Sequence, residues 1–198
     1  MTTLGKGLIE ERLKSTDPSS LLVVTPILDP SQIGGASIDV RLGFEFVSVK
    51  RGNVGVLDPS TEQQLQSRFR TPHHVNIKGR FFLHPNEMVL AATLEYVRLP
   101  TDVAGFVTSR SRWGRLGLVI ATATAIHPGF AGTITLELVN HGNVPLVLYP
   151  GLCVAQLILN ITAGAVAYDG ELARQTGPHA VRPGEPQRSD SEFWIPAE

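Results

Sequence analysis

The sequence predicts an all-β fold of sandwich or barrel type with little helix, and three observations predict it. Short apolar segments of roughly four to eight residues, dominated by Val, Ile, Thr and Leu, recur along most of the chain. That composition suits a pleated, half-buried surface. Gly, Pro and Asn break the segments at close intervals, as in antiparallel sheets joined by short turns. No internal repeat replaces this pattern, and extended helical spacing is confined to the N-terminus.

In chain order, Leu4, Leu8, Ile9 and Leu13 are spaced for one apolar helix face over residues 4–14. Asp17-Pro18-Ser19-Ser20 ends that helix, because proline cannot continue it. The strand segments then follow: LLVVTPIL, ASIDVRLG, FEFVSV, FFLHP, EMVLAATLEYVRL, AGFVTS, LGLVIATA, GTITLELVN, VPLVLYP and LCVAQLILNI. Residues 58–78 read as a long polar excursion with a helical turn through TEQQLQSRF. From Gly170 onward Gly, Pro, Arg and acids dominate, predicting a mobile tail or lid. The expected division is a β domain over residues 1–169 and a tail over 170–198, with Phe193-Trp194-Ile195 docking on the protein's own surface or a neighbouring subunit rather than on a separate partner.

Composition excludes several classes. With 198 residues the chain fits one domain with a sizeable core. Seventeen Lys+Arg against 18 Asp+Glu give a net charge of -1, and the basic residues are scattered. A DNA- or RNA-binding surface would cluster them. No run is long and apolar enough for a membrane span, and MTTLGKGLIEERLK lacks the apolar core of a signal peptide. The single Cys153 fits a reducing cytoplasm.

The chemistry narrows in the same way. Zinc nucleobase deaminases need H-x-E and P-C-x-x-C to hold the metal and its water; one cysteine cannot supply that set. His73-His74 would point to opposite faces of an extended chain and reads as a solvated loop. P-loop, dinucleotide and serine-elbow motifs are absent. What remains is TSRSRWGRLGLVIATATAIHPGFAGTITLELVN, with Arg110, Arg112 and Arg115 close together and a lone acid, Glu137. Arginine forks clamp phosphate oxygens in pairs. On one strand, Arg110 and Arg112 would share a face and Ser111 would oppose them. In ITLELV, Ile134, Leu136 and Leu138 would form one face, and Thr135, Glu137 and Val139 the other. Taken alone, a solvated basic turn and a solvent-facing acid explain these residues as well as a site does.

The order of motifs goes further. SRSRWGRLGL, then HPGFAGTITLELVN, then LYPGLCVAQL closely resemble the deoxycytidine triphosphate deaminases of the dUTPase superfamily. GGASIDVRLG, FLHPNEMVLAATLEYVRLPTDVAGFV and the tail fragment RQTGP add to the likeness, which runs from about residue 8 to residue 180. The resemblance implies a distorted β-barrel or jelly roll, a homotrimer with active sites between subunits, and deamination of cytosine nucleotides without zinc. It implies that Glu137 is the general base that activates water for attack on C4. Ser111 and Arg115 would position the water and hold that base. Arg110 would stand on the phosphate side, with Arg112, Ala123, His127, Gln156, Tyr168, Glu171 and Gln175 at the other substrate positions. No cofactor is implied beyond magnesium carried by the nucleotide triphosphate.

The sequence departs from the family in a cluster. The aspartate of I-D-P-G-F is His127, the second serine of R-S-S is Arg112, and the glycine before that arginine is Ser109. Between Leu118 and Pro128 the chain is one residue short, and the family histidine there has no counterpart. A phosphate-reaching lysine aligns with Glu171 and the following tyrosine with Leu172. The leading expectation is therefore a deaminase of dCTP or a related cytosine nucleotide whose substrate has shifted. The alternatives are a dUTPase-like or bifunctional dUMP-forming pyrophosphatase, which leans on the acid replaced by His127, and a non-catalytic nucleotide-binding regulator.

Overall fold

The computed structural model describes residues 2–49, 72–121, 125–167 and 176–178. Strand β1 (Thr2–Thr3) leads into α1 (Lys6–Leu13), β2 (Val23–Thr25), a 3₁₀ turn (Pro30–Gln32) and the long β3 (Ile38–Ser48). After β4 (His73–His74) and β5 (Phe81–Leu83) come β6 (Met88–Arg98), β7 (Val103–Ser109) and the single helical turn α2 (Ser111–Gly114). The chain continues through β8 (Leu118–Ile120), β9 (Ala125–Ile126), β10 (Ala131–Asn140), β11 (Leu146–Leu148) and β12 (Cys153–Ile161). The all-β architecture is as expected, and no helix among the described residues is long and apolar enough to cross a membrane.

One curled ten-stranded sheet dominates, in the order β8-β10-β6-β3-β12-β7-β9, with β1, β2 and β4 added to β12, β6 and β3. Every pairing is antiparallel, and β5 and β11 form a separate ribbon. Alternation builds the core: Ile38, Val40 and Leu42 of β3, Ile134, Leu136 and Leu138 of β10, and Leu157 and Leu159 of β12 are all buried. Burying such side chains stabilises the fold by about 1.5–3 kcal/mol each.

Several boundaries differ from the sequence reading. ASIDVRLG and FEFVSV form one strand, because Gly43 packs against the backbone carbonyls of Ala92 and Thr93 instead of turning. The N-terminal helix starts at Lys6, after Leu4; Leu4 and Ile9 are buried, but Leu8 is 45% exposed, so the apolar face is narrower than the spacing suggests. His73 and His74 are exposed as expected, yet they form a short strand. His74 Nδ1 lies 2.5 Å from Glu45 Oε1, and its ring stacks on Phe44. The polar excursion through TEQQLQSRF and nearly all of the tail, including Phe193-Trp194-Ile195, lie outside the described residues.

Candidate functional site

Glu137 sits where the period-two pattern places it. On β10, Ile134, Leu136 and Leu138 point into the core, while Thr133, Thr135, Glu137 and Val139 line the outward face, half-buried. The strand lies between β6 and β8, with Glu137 opposite Leu90. The Glu137 carbonyl accepts the Ala121 N–H at 2.8 Å. A bulge between Thr133 and Thr135 is stitched by the Ile134 N–H donating to Thr93 Oγ1 at 2.9 Å. The same face receives residues 176–178: the Gly177 N–H donates to Thr133 Oγ1 at 2.9 Å.

His127 stands at the head of the turn into β10. The Phe130 N–H bonds the His127 carbonyl at 3.1 Å, Pro128 occupies the second position and Gly129 takes φ +80°. That is a type II turn, which requires glycine or its like at the third position. The His127 side chain is exposed.

The arginine cluster has a different geometry from the one expected. β7 ends at Ser109, Arg110 keeps extended backbone as the residue before α2, and residues 111–114 coil into one helical turn. Arg110 and Arg112 therefore do not share a strand face. The Arg115 N–H closes the turn on the Ser111 carbonyl at 3.1 Å. Gly117, at φ +90°, then swings the chain into β8; a Cβ there would lie 2.6 Å from the Gly142 nitrogen. Ser111, Arg112 and Arg115 are exposed, and among the described residues their side chains make no hydrogen bond or ion pair.

Arg110 is held instead. Its Nη1 contacts the Asp39 carboxylate and lies 3.6 Å from the Cys153 sulfur. Its backbone N–H donates to the Val154 carbonyl at 3.0 Å. Burial pushes the Cys153 thiol up from its ordinary value, with the Arg110 and Arg41 charges pulling the other way. Gln156 lies beside this corner: it is registered against Asp39 on β3 and Thr108 on β7, and its Oε1 lies 3.4 Å from Ser37 Oγ. Behind it, fully buried Glu95 accepts Arg41 Nη1 at 3.2 Å, the Arg41 N–H at 2.8 Å and Gln32 Nε2 at 2.9 Å.

The structure thus gathers Arg110 and Gln156 at one corner and sets Glu137 on β10, three steps along the sheet path from the β12 strand of Gln156 and four from β7, which leads to Arg110. No hydrogen bond or ion pair among the described residues joins Ser111 or Arg115 to Glu137. Ala123, Tyr168, Glu171 and Gln175 lie outside the described residues. Asp39, Arg41, Glu95 and Thr133 were missed by the sequence reading. For Asp39, Arg41 and Glu95 the signal was present in SIDVRLG and TLEYV, where acids and a base interrupt otherwise apolar strands; Thr133 carried none beyond its place on the outward face of GTITLELVN.

The family model described as dCTP deaminase-like matches residues 8–162, the span that carries both β10 and the arginine corner. The chain belongs to the dCTP deaminase-like family. Among its relatives in that family, the "dCTP deaminase, dUMP-forming" of Methanobrevibacter smithii is 39% identical over 152 residues, covering 76% of this chain and 78% of that one. The "dCTP deaminase" of Natronomonas pharaonis is 37% identical over 182 residues, covering 88% and 91%. In structure, the 2'-deoxycytidine 5'-triphosphate deaminase of Agrobacterium tumefaciens shares the fold, with a TM-score of 0.61 at 22% identity. That likeness covers 80% of this chain and spans about half (48%) of the other.

Proposed function

We propose that this protein is a hydrolytic deaminase of cytosine nucleotides, converting dCTP and water to dUTP and ammonia within the cytoplasmic nucleotide pool. The observation that carries the reading is Glu137. It is a half-buried acid on the outward face of β10, inside the matched span and in register with β6 and β8. In this role its carboxylate takes a proton from water, the oxygen attacks C4, and the proton passes on to the departing ammonia. Ser111 and Arg115 orient the water and the base, and Arg110 meets the phosphates, whose magnesium belongs to the substrate.

The exposure of Ser111 and Arg115 supports a site completed between subunits of a homotrimer. The test is ammonia release from a panel of cytosine nucleotides by wild type and Glu137→Gln. The variant is expected to lose roughly 10²–10⁴-fold in kcat at unchanged melting temperature. Full activity in it would remove Glu137 from the mechanism.

A second reading is favoured by relatives whose name includes "dUMP-forming". In it the same site also hydrolyses the triphosphate, and pyrophosphate would appear with the ammonia.

A further inference from the structure

Asp39 is one of the few charged side chains on β3, and its surroundings are built from both sides. Its backbone carbonyl accepts Gln32 Nε2 at 2.8 Å, and the same amide nitrogen is fixed by buried Glu95. Two residues on, the Arg41 N–H is held by the other oxygen of Glu95. The peptide carrying Asp39 is therefore pinned by a buried polar network, which fixes the point from which its side chain reaches Arg110. That carboxylate, 23% exposed, takes Nη1 of Arg110, which is 41% exposed. The guanidinium has five N–H donors in a rigid fork; Nη1 is committed to Asp39 and lies against the Cys153 sulfur, while Nε and Nη2 make no hydrogen bond among the described residues.

We propose that Asp39 is a positioning residue that fixes the Arg110 fork so that its remaining donors meet the nucleotide phosphates; this rests on the reading of Arg110 as a phosphate-side residue. An untethered arginine would have to give up its rotamer freedom when the nucleotide arrives. Tethered, it has given up that freedom beforehand, which is how preorganisation lowers the cost of binding. The tether also has an electrostatic cost, because a carboxylate beside the fork opposes an incoming phosphate. The two effects make opposite forecasts for removal of Asp39, and the construction of the site favours orientation. A carboxylate that served only to weaken the cation would not require a clamped peptide behind it.

The experiment uses the full chain and compares wild type, Asp39→Ala, Asp39→Asn, Arg110→Ala and the double variant Asp39→Ala/Arg110→Ala. KM and kcat for dCTP are measured by ammonia release; if the wild type releases none, the same ratios are read from calorimetric Kd values for dCTP. Asp39→Ala is expected to raise KM about tenfold, the size of one charge-assisted hydrogen bond, with kcat within about threefold. Asp39→Asn keeps an acceptor oxygen in place and should recover most of that loss. In the Arg110→Ala background, removing Asp39 should add nothing.

A KM that falls or stays level in both Asp39 variants would overturn the proposal, as would an Asp39→Ala effect that persists undiminished without Arg110. If Asp39→Ala fails to fold, Asp39→Asn decides: KM at or below wild type overturns the proposal, and a modest rise that vanishes in the Arg110→Ala background supports it. An Arg110→Ala variant with wild-type KM would instead remove the phosphate reading of Arg110 itself.

Discussion

The Gly177 N–H donates to Thr133 Oγ1 across 2.9 Å, seating residues 176–178 on the outward face of β10. Glu137 lies on that same face, four residues along the strand, roughly 13 Å away at the usual strand rise. A fragment late in the chain thus meets the strand that carries the candidate base. Gly177 does so with φ +95°, a conformation that is unfavourable for any residue with a Cβ.

Gly177→Ala is expected to weaken this contact by backbone strain alone, since a Cβ there meets nothing within 4 Å among the described residues. A penalty of about 1–2 kcal/mol corresponds to roughly a five- to thirty-fold rise in KM. The melting temperature should change little, because the contact lies outside the core. Thr133→Val, which removes the acceptor, should move KM in the same direction. Steady-state kinetics with parallel melting curves check both; a lowered melting temperature with unchanged KM would assign the contact to stability instead.

Arg41 and Glu95 forecast a larger effect on folding. Glu95 is 0% exposed, and its carboxylate holds Arg41 through both side chain and backbone. Removing one partner strands a buried charge, at a cost of about 3–5 kcal/mol. Arg41→Met should therefore lower the urea midpoint sharply, and Glu95→Leu should do likewise. The double variant should fall well short of the sum, because neither charge is left alone. Additive losses would show that the pair does not act as a unit.

The sheet was legible because its strands obey the two-residue period: in GTITLELVN every second residue is buried as the alternation requires. The arginine corner was legible in composition but not in shape. Nothing local in TSRSRW distinguishes a strand from a helical turn. The turn is decided by tertiary contacts, with Trp113 Nε1 donating to the Cys153 carbonyl at 2.7 Å. The contact between Asp39 and Arg110 was invisible for a similar reason. The two residues lie 71 positions apart, and only the pairing of β12 with both β3 and β7 brings them together. Local pattern carries period and turns; which charges meet across a sheet is settled by register.

Cys153 supplies a pH-dependent readout of the same corner. Burial raises its thiol pKa, and this outweighs the opposing pull of Arg110 and Arg41. Where the folded value exceeds the unfolded one, the protonated form is favoured by folding. The stabilisation is present below the unfolded pKa and fades as pH rises through the folded value. Iodoacetamide should therefore alkylate native Cys153 more slowly at pH 8 than the urea-unfolded chain, and the native rate should climb at higher pH. Cys153→Ala should lose the alkaline fall in stability that the thiol contributes. Equal rates in native and unfolded protein would contradict the burial argument.

His127 tests one of the departures from the family motif. It is exposed at the head of a type II turn that Pro128 and Gly129 already define. Exchanging it for aspartate leaves the Pro128-Gly129 turn intact, and parallel melting curves separate any change in stability from a change in chemistry. The chemistry of the position changes far more. Aspartate is acceptor-only when ionised, whereas an imidazole can donate, so a sugar hydroxyl or an attacking water meets a different partner. His127→Asp is expected to shift the ratio of kcat/KM for deoxy- over ribonucleotides about tenfold, the size of one hydrogen bond gained or lost in a binding pocket. Pyrophosphate release relative to ammonia release should also rise, because an acid at this position is what the dUMP-forming reading requires. Both ratios are read from one set of reactions with dCTP and CTP, scored for ammonia and pyrophosphate and accompanied by melting curves. If the ratios match wild type while the melting temperature holds, His127 lies away from the nucleotide and substrate choice is set by other residues.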